Sequence, residues 1–313
     1  MTALLVGILL VAADPEVASQ PAAMVLTAKG SIVVQRGGKE LPVAVMDLLQ
    51  PGDIVRVKTG GSAKIVILGD GHREEIPAGA EVKLAPEGCQ PPDAVTKEAS
   101  KLSAAQLTNL RKMAQSQRGG VVVIRSANTS AVKATKRGPL NGTTILTERP
   151  TFAWEEVADV LDYRIELFLA PMGKPERLVW KKDLRETKLE FPKDEKALLP
   201  GTRYRWQVTA LLGGDQESVV VNARFMAPTE DLPQQVKELT AMAKSEDPAE
   251  WLLAATTLES LGVYEAALPI FEQLAEKFPQ EARYQEALVE YYQRAGDADK
   301  AKAAGDKAKK LRS

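Results

Sequence analysis

The sequence predicts a multidomain chain of 313 residues: an all-β module, then a β-sandwich, then an all-α array of helical repeats. Three observations carry that order. Between 25 and 86, short extended runs are separated by Gly, Pro and Asp turn signals. Between 138 and 227 the runs lengthen, alternate apolar with polar residues and carry aromatic side chains. From 232 onward the chain reads as helical, and the pairs Gly262/Gly296 and Ala267/Ala301 both recur at 34 residues.

The first module is organised around 49–71. Pro51-Gly52 breaks the chain, Gly60-Gly61 reverses it, and Asp70-Gly71 supplies a two-residue hairpin turn with positive φ angles. Strands are expected at 31–35, 40–45, 53–57, 62–68, 72–76 and 81–84. Ala63, Ile65 and Ile67 alternate against Ser62, Lys64 and Val66, the pattern of a half-buried strand. A closed or sandwiched unit follows, because it hides strand edges. With Gly30-Ser31-Ile32-Val33-Val34 and Arg36-Gly37-Gly38-Lys39 ahead of it, this ordered set of motifs resembles the FecR domain, an all-β module of bacterial extracytoplasmic proteins. The resemblance covers 25–86 and implies a fold and a compartment; it names no reaction.

Pro91-Pro92-Asp93 ends that module, and 94–118 is expected to form a connecting basic helix, with no Gly or Pro from Thr96 to Gln117. Leu102, Gln106, Leu110 and Met113 share its face, with Leu107 and Ala114 beside it. Such a helix packs on a neighbouring domain, or lies on a membrane. Gly119-Gly120, a strand at 121–124 and a linker make up 119–137.

From 138 to 227, Leu161, Tyr163, Ile165, Leu167 and Leu169 alternate in one run, and Tyr204, Trp206, Val208, Ala210 and Leu212 in another. Several strands at that spacing read as a sandwich. Leu198-Leu199-Pro200-Gly201-Thr202-Arg203-Tyr204 resembles the corner before strand F of fibronectin type III domains, and the resemblance implies that the Tyr204 hydroxyl bonds the upstream backbone. Trp154 and Trp206 are expected in the core.

Pro248-Ala249-Glu250-Trp251, Gly262, Tyr264, Ala267, Phe271 and Pro279 fall where the tetratricopeptide (TPR) repeat places its characteristic residues. The domain at 232–313 then holds two repeats, about 248–281 and 282–313, with the helix at 233–245 supplying a further layer. In the second repeat Gln285 stands in the place of Trp251 and Gly305 in that of Phe271. Repeats of this kind stack into a concave surface. In this register Leu252, Thr256 and Glu259 of the first, and Arg283, Glu286 and Glu290 of the second, face that surface and form a protein-binding site. The alternative is an array too short for a groove, which only packs on the sandwich.

Net charge is −1, which argues against a general nucleic-acid binder. That total hides segregation. Residues 97–137 carry nine Lys or Arg and one Glu, while 230–299 carry fifteen Asp or Glu and five Lys or Arg. The basic stretch meets an anionic membrane surface or polymer, or the acidic end of the same chain, or only solvent.

Residues 1–13 hold an apolar run long enough for a signal peptide and too short to span a bilayer, with Val11 and Ala13 suiting the −3 and −1 cleavage positions. Export to the periplasm or cell envelope is expected, with no transmembrane span after cleavage. Met1-Thr2 lacks the usual basic residue, so a start further upstream, or an ordinary buried segment, is the alternative. Cys89 is the only cysteine, so no internal disulfide forms; Pro86, Gly88, Pro91 and Pro92 place it in a loop.

His72 is the only histidine, and no Gly-x-Ser-x-Gly elbow, phosphate loop or dinucleotide glycine motif is present. No catalytic residue, metal or cofactor is expected. The sequence therefore reads as a non-enzymatic exported scaffold or adaptor of the bacterial envelope. Its TPR-like repeats would hold a protein or peptide, and its FecR-like domain an envelope protein or wall polymer. Envelope sensing is the alternative that the FecR resemblance implies. Sigma-factor control of that family runs through a cytoplasmic segment and a membrane helix, and only Met1-Thr2 precedes a run too short to span. A wall-active enzyme would need a carboxylate pair brought together by the fold.

Overall fold

A computed structural model of the chain describes residues 20–116, 138–212, 214, 216–295 and 297–312. The apolar segment at 1–13, the strand expected at 121–124 and the rest of 119–137 lie outside these residues. A β region over 23–226, interrupted by a 3-10 turn at Pro92–Ala94 and one α-helix, is followed by five α-helices among the described residues. None of these helices is long and apolar enough to cross a membrane.

The first unit contains β1 (Ala23–Lys29), β2 (Ile32–Arg36), β3 (Lys39–Pro42), β4 (Leu48–Leu49), β5 (Ile54–Val57), β6 (Ser62–Ile67), β7 (Arg73–Ile76), β8 (Glu81–Ala85), β9 (Gly88–Gln90) and β10 (Thr96–Glu98). They form two five-stranded sheets, ordered β10-β7-β6-β1-β4 and β3-β2-β5-β8-β9. Gly60-Gly61 carries the chain from one sheet to the other, since β5 and β6 belong to different sheets. Alternation on β1 and β6 sends Val25, Ala63, Ile65 and Ile67 between the sheets and Met24, Leu26 and Val66 to the opposite side. That opposite side is also buried, so β6 is covered on both faces rather than one.

Three expectations change here. Ile67 N donates to His72 O at 2.9 Å, so the β6–β7 connection is a four-residue loop in which Gly71, and not Asp70, has positive φ. Leu68 is drawn into the core on the opposite side, with Met24, Leu26 and Val66, and its carbonyl accepts from Arg111 Nε, which leaves no room for a two-residue turn. Residues 96–98, expected to be helical, are a strand paired to β7, Thr96 opposite Glu75. The helix α1 (Ala104–Ser116) starts later because Ser103 and Gln106 cap it reciprocally: Gln106 N donates to Ser103 Oγ at 3.3 Å and Ser103 N to Gln106 Oε1 at 2.9 Å. Cys89 lies in β9, fully buried, and not in a loop.

The second unit contains β11 (Thr143–Thr144), β12 (Thr151–Ala153), β13 (Val160–Leu169), β14 (Arg177–Leu184), β15 (Lys188–Glu190), β16 (Arg203–Leu212) and β17 (Glu217–Met226). A five-stranded sheet, β11-β17-β16-β13-β14, accompanies the pair β12-β15. Phe152, Trp154, Tyr163, Tyr204, Trp206 and Phe225 fill the core. The Tyr204 hydroxyl accepts from Leu199 N at 3.0 Å, and Trp206 Nε1 donates to Pro139 O at 3.0 Å.

The helices are α2 (Leu232–Met242), α3 (Pro248–Ser260), α4 (Tyr264–Lys277), α5 (Ala282–Ala295) and α6 (Ala298–Arg312). Asp247 caps α3 by accepting from Ala249 N at 3.0 Å. On α6 only the small Ala301, Ala304 and Ala308 are buried, so its other sides face solvent. The second β unit is tied to the α3–α4 turn. Thr144 N donates to Gly262 O at 2.9 Å and Thr144 Oγ1 to Leu261 O at 2.8 Å. Gly262 has φ +74°, and a Cβ there would stand 2.8 Å from Thr144 Oγ1. Gly262→Ala is therefore expected to cost about 1–2 kcal/mol in urea unfolding; an unchanged midpoint would refute the constraint.

Candidate functional site

The six repeat positions expected on an open groove do not form one. Leu252 and Thr256 have no exposed surface, and Leu252 belongs to the core cluster that also holds Met24, Leu26 and Val66 of the first β unit and Leu110 of α1. Thr256 turns inward and donates to Leu252 O at 2.8 Å. The physical reason is the outer face of the β1–β6 sheet: it is apolar, and α3 is what covers it. Glu259 and Glu290 are buried as well. Arg283 Nη2 pairs with Asp47 Oδ1 at 2.6 Å, and Glu286, the most accessible carboxylate of the set, meets Arg312 Nε at 2.6 Å. The face expected to receive a partner is an internal seam.

Charge crosses the same seam. Lys64 Nζ lies 2.8 Å from Asp247 Oδ2, 3.6 Å from Glu98 and 3.9 Å from Glu75. Arg73, buried, pairs with Glu98 Oε2 at 2.5 Å and Glu250 Oε1 at 3.2 Å, and Lys101 also reaches Glu250. Burial works to raise the Asp247 carboxyl, but the bonds from Lys64 and Ala249 outweigh it and hold it below the ordinary range. Burial likewise opposes ionisation of Glu250, and Lys101, Ser245 and Arg73 overcome it. Of the basic stretch, Lys101 thus meets the acidic end of the chain, whereas Lys97 pairs with Glu74 at 3.0 Å. Residues 117–137 lie outside the described structure.

At one end the seam opens into a cavity of about 470 Å³. β1, β6 and β7 line one side, and the start of α3, the end of α4 and the start of α5 the other. Ala28, Val45, Phe278 and Tyr284 make apolar walls; Lys64, Glu75 and Asp247 make a polar end. Lys29, Lys277 and Glu281 also line it, with Lys277 Nζ 4.4 Å above the Trp251 ring. Burial pushes the Glu281 carboxyl up, partly offset by a bond from Arg283 N.

A second cluster joins residues that the sequence leaves apart. Glu74, fully buried on β7, accepts from Cys89 N at 2.8 Å and lies 3.1 Å from His72 Nε2 and 3.0 Å from Lys97 Nζ. His72 Nδ1 is 2.5 Å from Asp70 Oδ1. Burial tends to raise the Glu74 carboxyl, but the Cys89 and His72 bonds bring it below the usual range. Burial, then Glu74, pushes the Cys89 thiol far up, which suppresses the thiolate. His72 and Cys89 therefore meet across one carboxylate, and that carboxylate holds β7, β9 and β10 together. The only sequence signal was an acid next to Arg73 on a strand position that turns out to face inward. In the folded chain Cys89 is expected to react with an aromatic disulfide reagent about a hundredfold more slowly than after denaturation. Equal rates would contradict its burial. Among the described residues no group of three or more His, Cys, Asp or Glu is placed to hold a metal ion.

No protein-family model matches the sequence, and no curated protein does.

Proposed function

We propose that the chain is a non-enzymatic binding scaffold of the bacterial cell envelope, built from a FecR-like β module, a fibronectin type III-like sandwich and TPR-like repeats. The supporting observation is the cavity between the first β unit and the helices, apolar in its walls and with the Lys64, Glu75 and Asp247 cluster in its lining. Pockets of that size and lining suit recognition of a side chain or small ligand. In this reading the repeats act by closing one wall of a cleft, and the β module supplies the other.

The test is photocrosslinking in intact cells. The full chain is expressed with a photoreactive amino acid at Lys277, on the cleft mouth, or at Arg185, on an exposed loop of the second β unit. A discrete envelope adduct from position 277 alone supports the proposal. Adducts from both positions, or from neither, overturn it. Fractionation with N-terminal sequencing checks export, the expected product beginning near Asp14.

A further inference from the structure

Three lysines and three carboxylates line the cavity, and they are not equally committed. Lys64, on β6, is met by Asp247 at 2.8 Å and Glu75 at 3.9 Å, so those three charges satisfy one another across the seam. The other three do not. Lys29, at the end of β1, and Lys277, at the end of α4, form no ion pair among the described residues. Glu281, just before α5, accepts from the backbone N of Arg283 at 3.4 Å. The Arg283 guanidinium itself is engaged by Asp47 at 2.6 Å and Glu286 at 3.8 Å.

Both signs of charge are therefore uncommitted, Lys29 on the sheet side and Lys277 and Glu281 on the helix side. Ala28, Val45, Phe278 and Tyr284 supply apolar wall, with the Phe278 and Tyr284 rings 6.1 Å apart. A ligand that fills this space takes water from all of these groups. An anion would leave Glu281 without a partner, a cation would leave the lysines so, and a neutral apolar molecule would strand both. Only a molecule carrying both charges answers the whole lining. The volume of about 470 Å³ lies in the lower part of the range of small-ligand sites, about 300–1,000 Å³.

We propose that this cavity binds a small zwitterion, an α-amino acid or short peptide with free ends and an apolar side chain. Its ammonium group sits beside Glu281, its carboxylate beside Lys29 and Lys277, and its side chain against Phe278 and Tyr284. Charge-assisted bonds at the two ends fix its orientation, and burial of the side chain adds affinity. The proposal rests on the reading of this cavity as the binding site of the scaffold and specifies its ligand class.

Isothermal titration calorimetry of the full chain tests it with leucine, its dipeptide and its tripeptide. Each probe is used with free ends, with the amino end acetylated (an anion) and with the carboxyl end amidated (a cation). At least one free-ended probe is expected to bind with a Kd below about 1 mM, and blocking either end to weaken it about tenfold. Tightest binding by leucine points to free amino acids, and tightest binding by a longer probe to peptides. In Glu281→Gln the acetylated and free-amine forms are expected to bind alike. In the double variant Lys29→Gln, Lys277→Gln the amide and the free carboxylate are expected to bind alike, with circular dichroism checking both folds. Binding by no free-ended probe, blocked probes that bind as well as free ones, or variants that keep the parent's preferences overturn the proposal. Failure here with a discrete adduct from position 277 alone removes the zwitterion and leaves the scaffold; failure of both removes the scaffold as well.

Discussion

Leu252→Ala is expected to lower the unfolding free energy by about 3–4 kcal/mol, among the largest effects of any single truncation in the chain. Leu252 has no exposed surface and stands where α3 meets the outer face of the β1–β6 sheet. Removing its isobutyl group leaves a void that cannot collapse, because one wall is a hydrogen-bonded sheet and the other a helix fixed at both ends. Asp247 caps α3 at its start, and the Thr144 bonds hold the turn at its end. Urea unfolding of the full chain reads the loss as a shift in midpoint at constant slope. On an open groove the same change would cost under about 0.5 kcal/mol, and that result would return α3 to solvent.

The second large effect is a dependence on pH. Glu259, near the end of α3, is enclosed, and burial, followed by the nearby Glu290, pushes its carboxyl from an ordinary 4.5 up to about 8. Arg294 serves Glu290, donating to its Oε1 at 3.0 and 2.6 Å, and the Oε2 atoms of both glutamates find no hydrogen-bond partner among the described residues. In the unfolded chain Glu259 loses its proton near 4.5, and in the folded chain only near 8. Between those values the folded state binds more protons, so the unfolding free energy falls as pH rises. The stabilising contribution is complete below 4.5 and is gone above about 8. Glu290 is raised too, by burial, and adds in the same direction. Glu259→Gln keeps the shape and removes the titration. It is expected to flatten the profile between pH 5 and 8 and to exceed the parent chain by about 2–4 kcal/mol at the upper end. Denaturant unfolding across that range measures the difference, and parallel profiles would show that Glu259 does not carry the proton.

Much of the element order is legible in the sequence because turn chemistry and alternation are local. Pro51-Gly52, the alternation around Tyr204 and the 34-residue spacing of the pairs Gly262/Gly296 and Ala267/Ala301 each act within a few residues or one repeat. What covers the β1–β6 sheet is not local. The run Met24, Leu26 and Val66 looks the same whether it faces a second sheet, a helix or a membrane. A signal did exist in α3: Ala249, Leu252, Leu253, Ala254, Ala255 and Leu258 surround the helix rather than forming a stripe, and a helix apolar on all sides belongs in a core. Reading Leu252, Thr256 and Glu259 as a concave face treats it as one layer of an array. Ten of its thirteen residues are buried, so it is the centre of one. The cluster around Glu74 was invisible for a different reason. A carboxylate buried beneath His72 and Cys89 is recognisable only when β9 and β10 are known to flank it.

The shared core also governs the order in which the chain becomes whole. Met24, Leu26 and Val66 are made early, but the helix that hides them follows an entire second β unit. Until Leu258 has been synthesised, the first unit shows an oily flank to its surroundings, the kind of surface on which nascent chains stick to one another. A ribosome-bound fragment ending near Met226 should bind a holdase chaperone that the finished protein ignores.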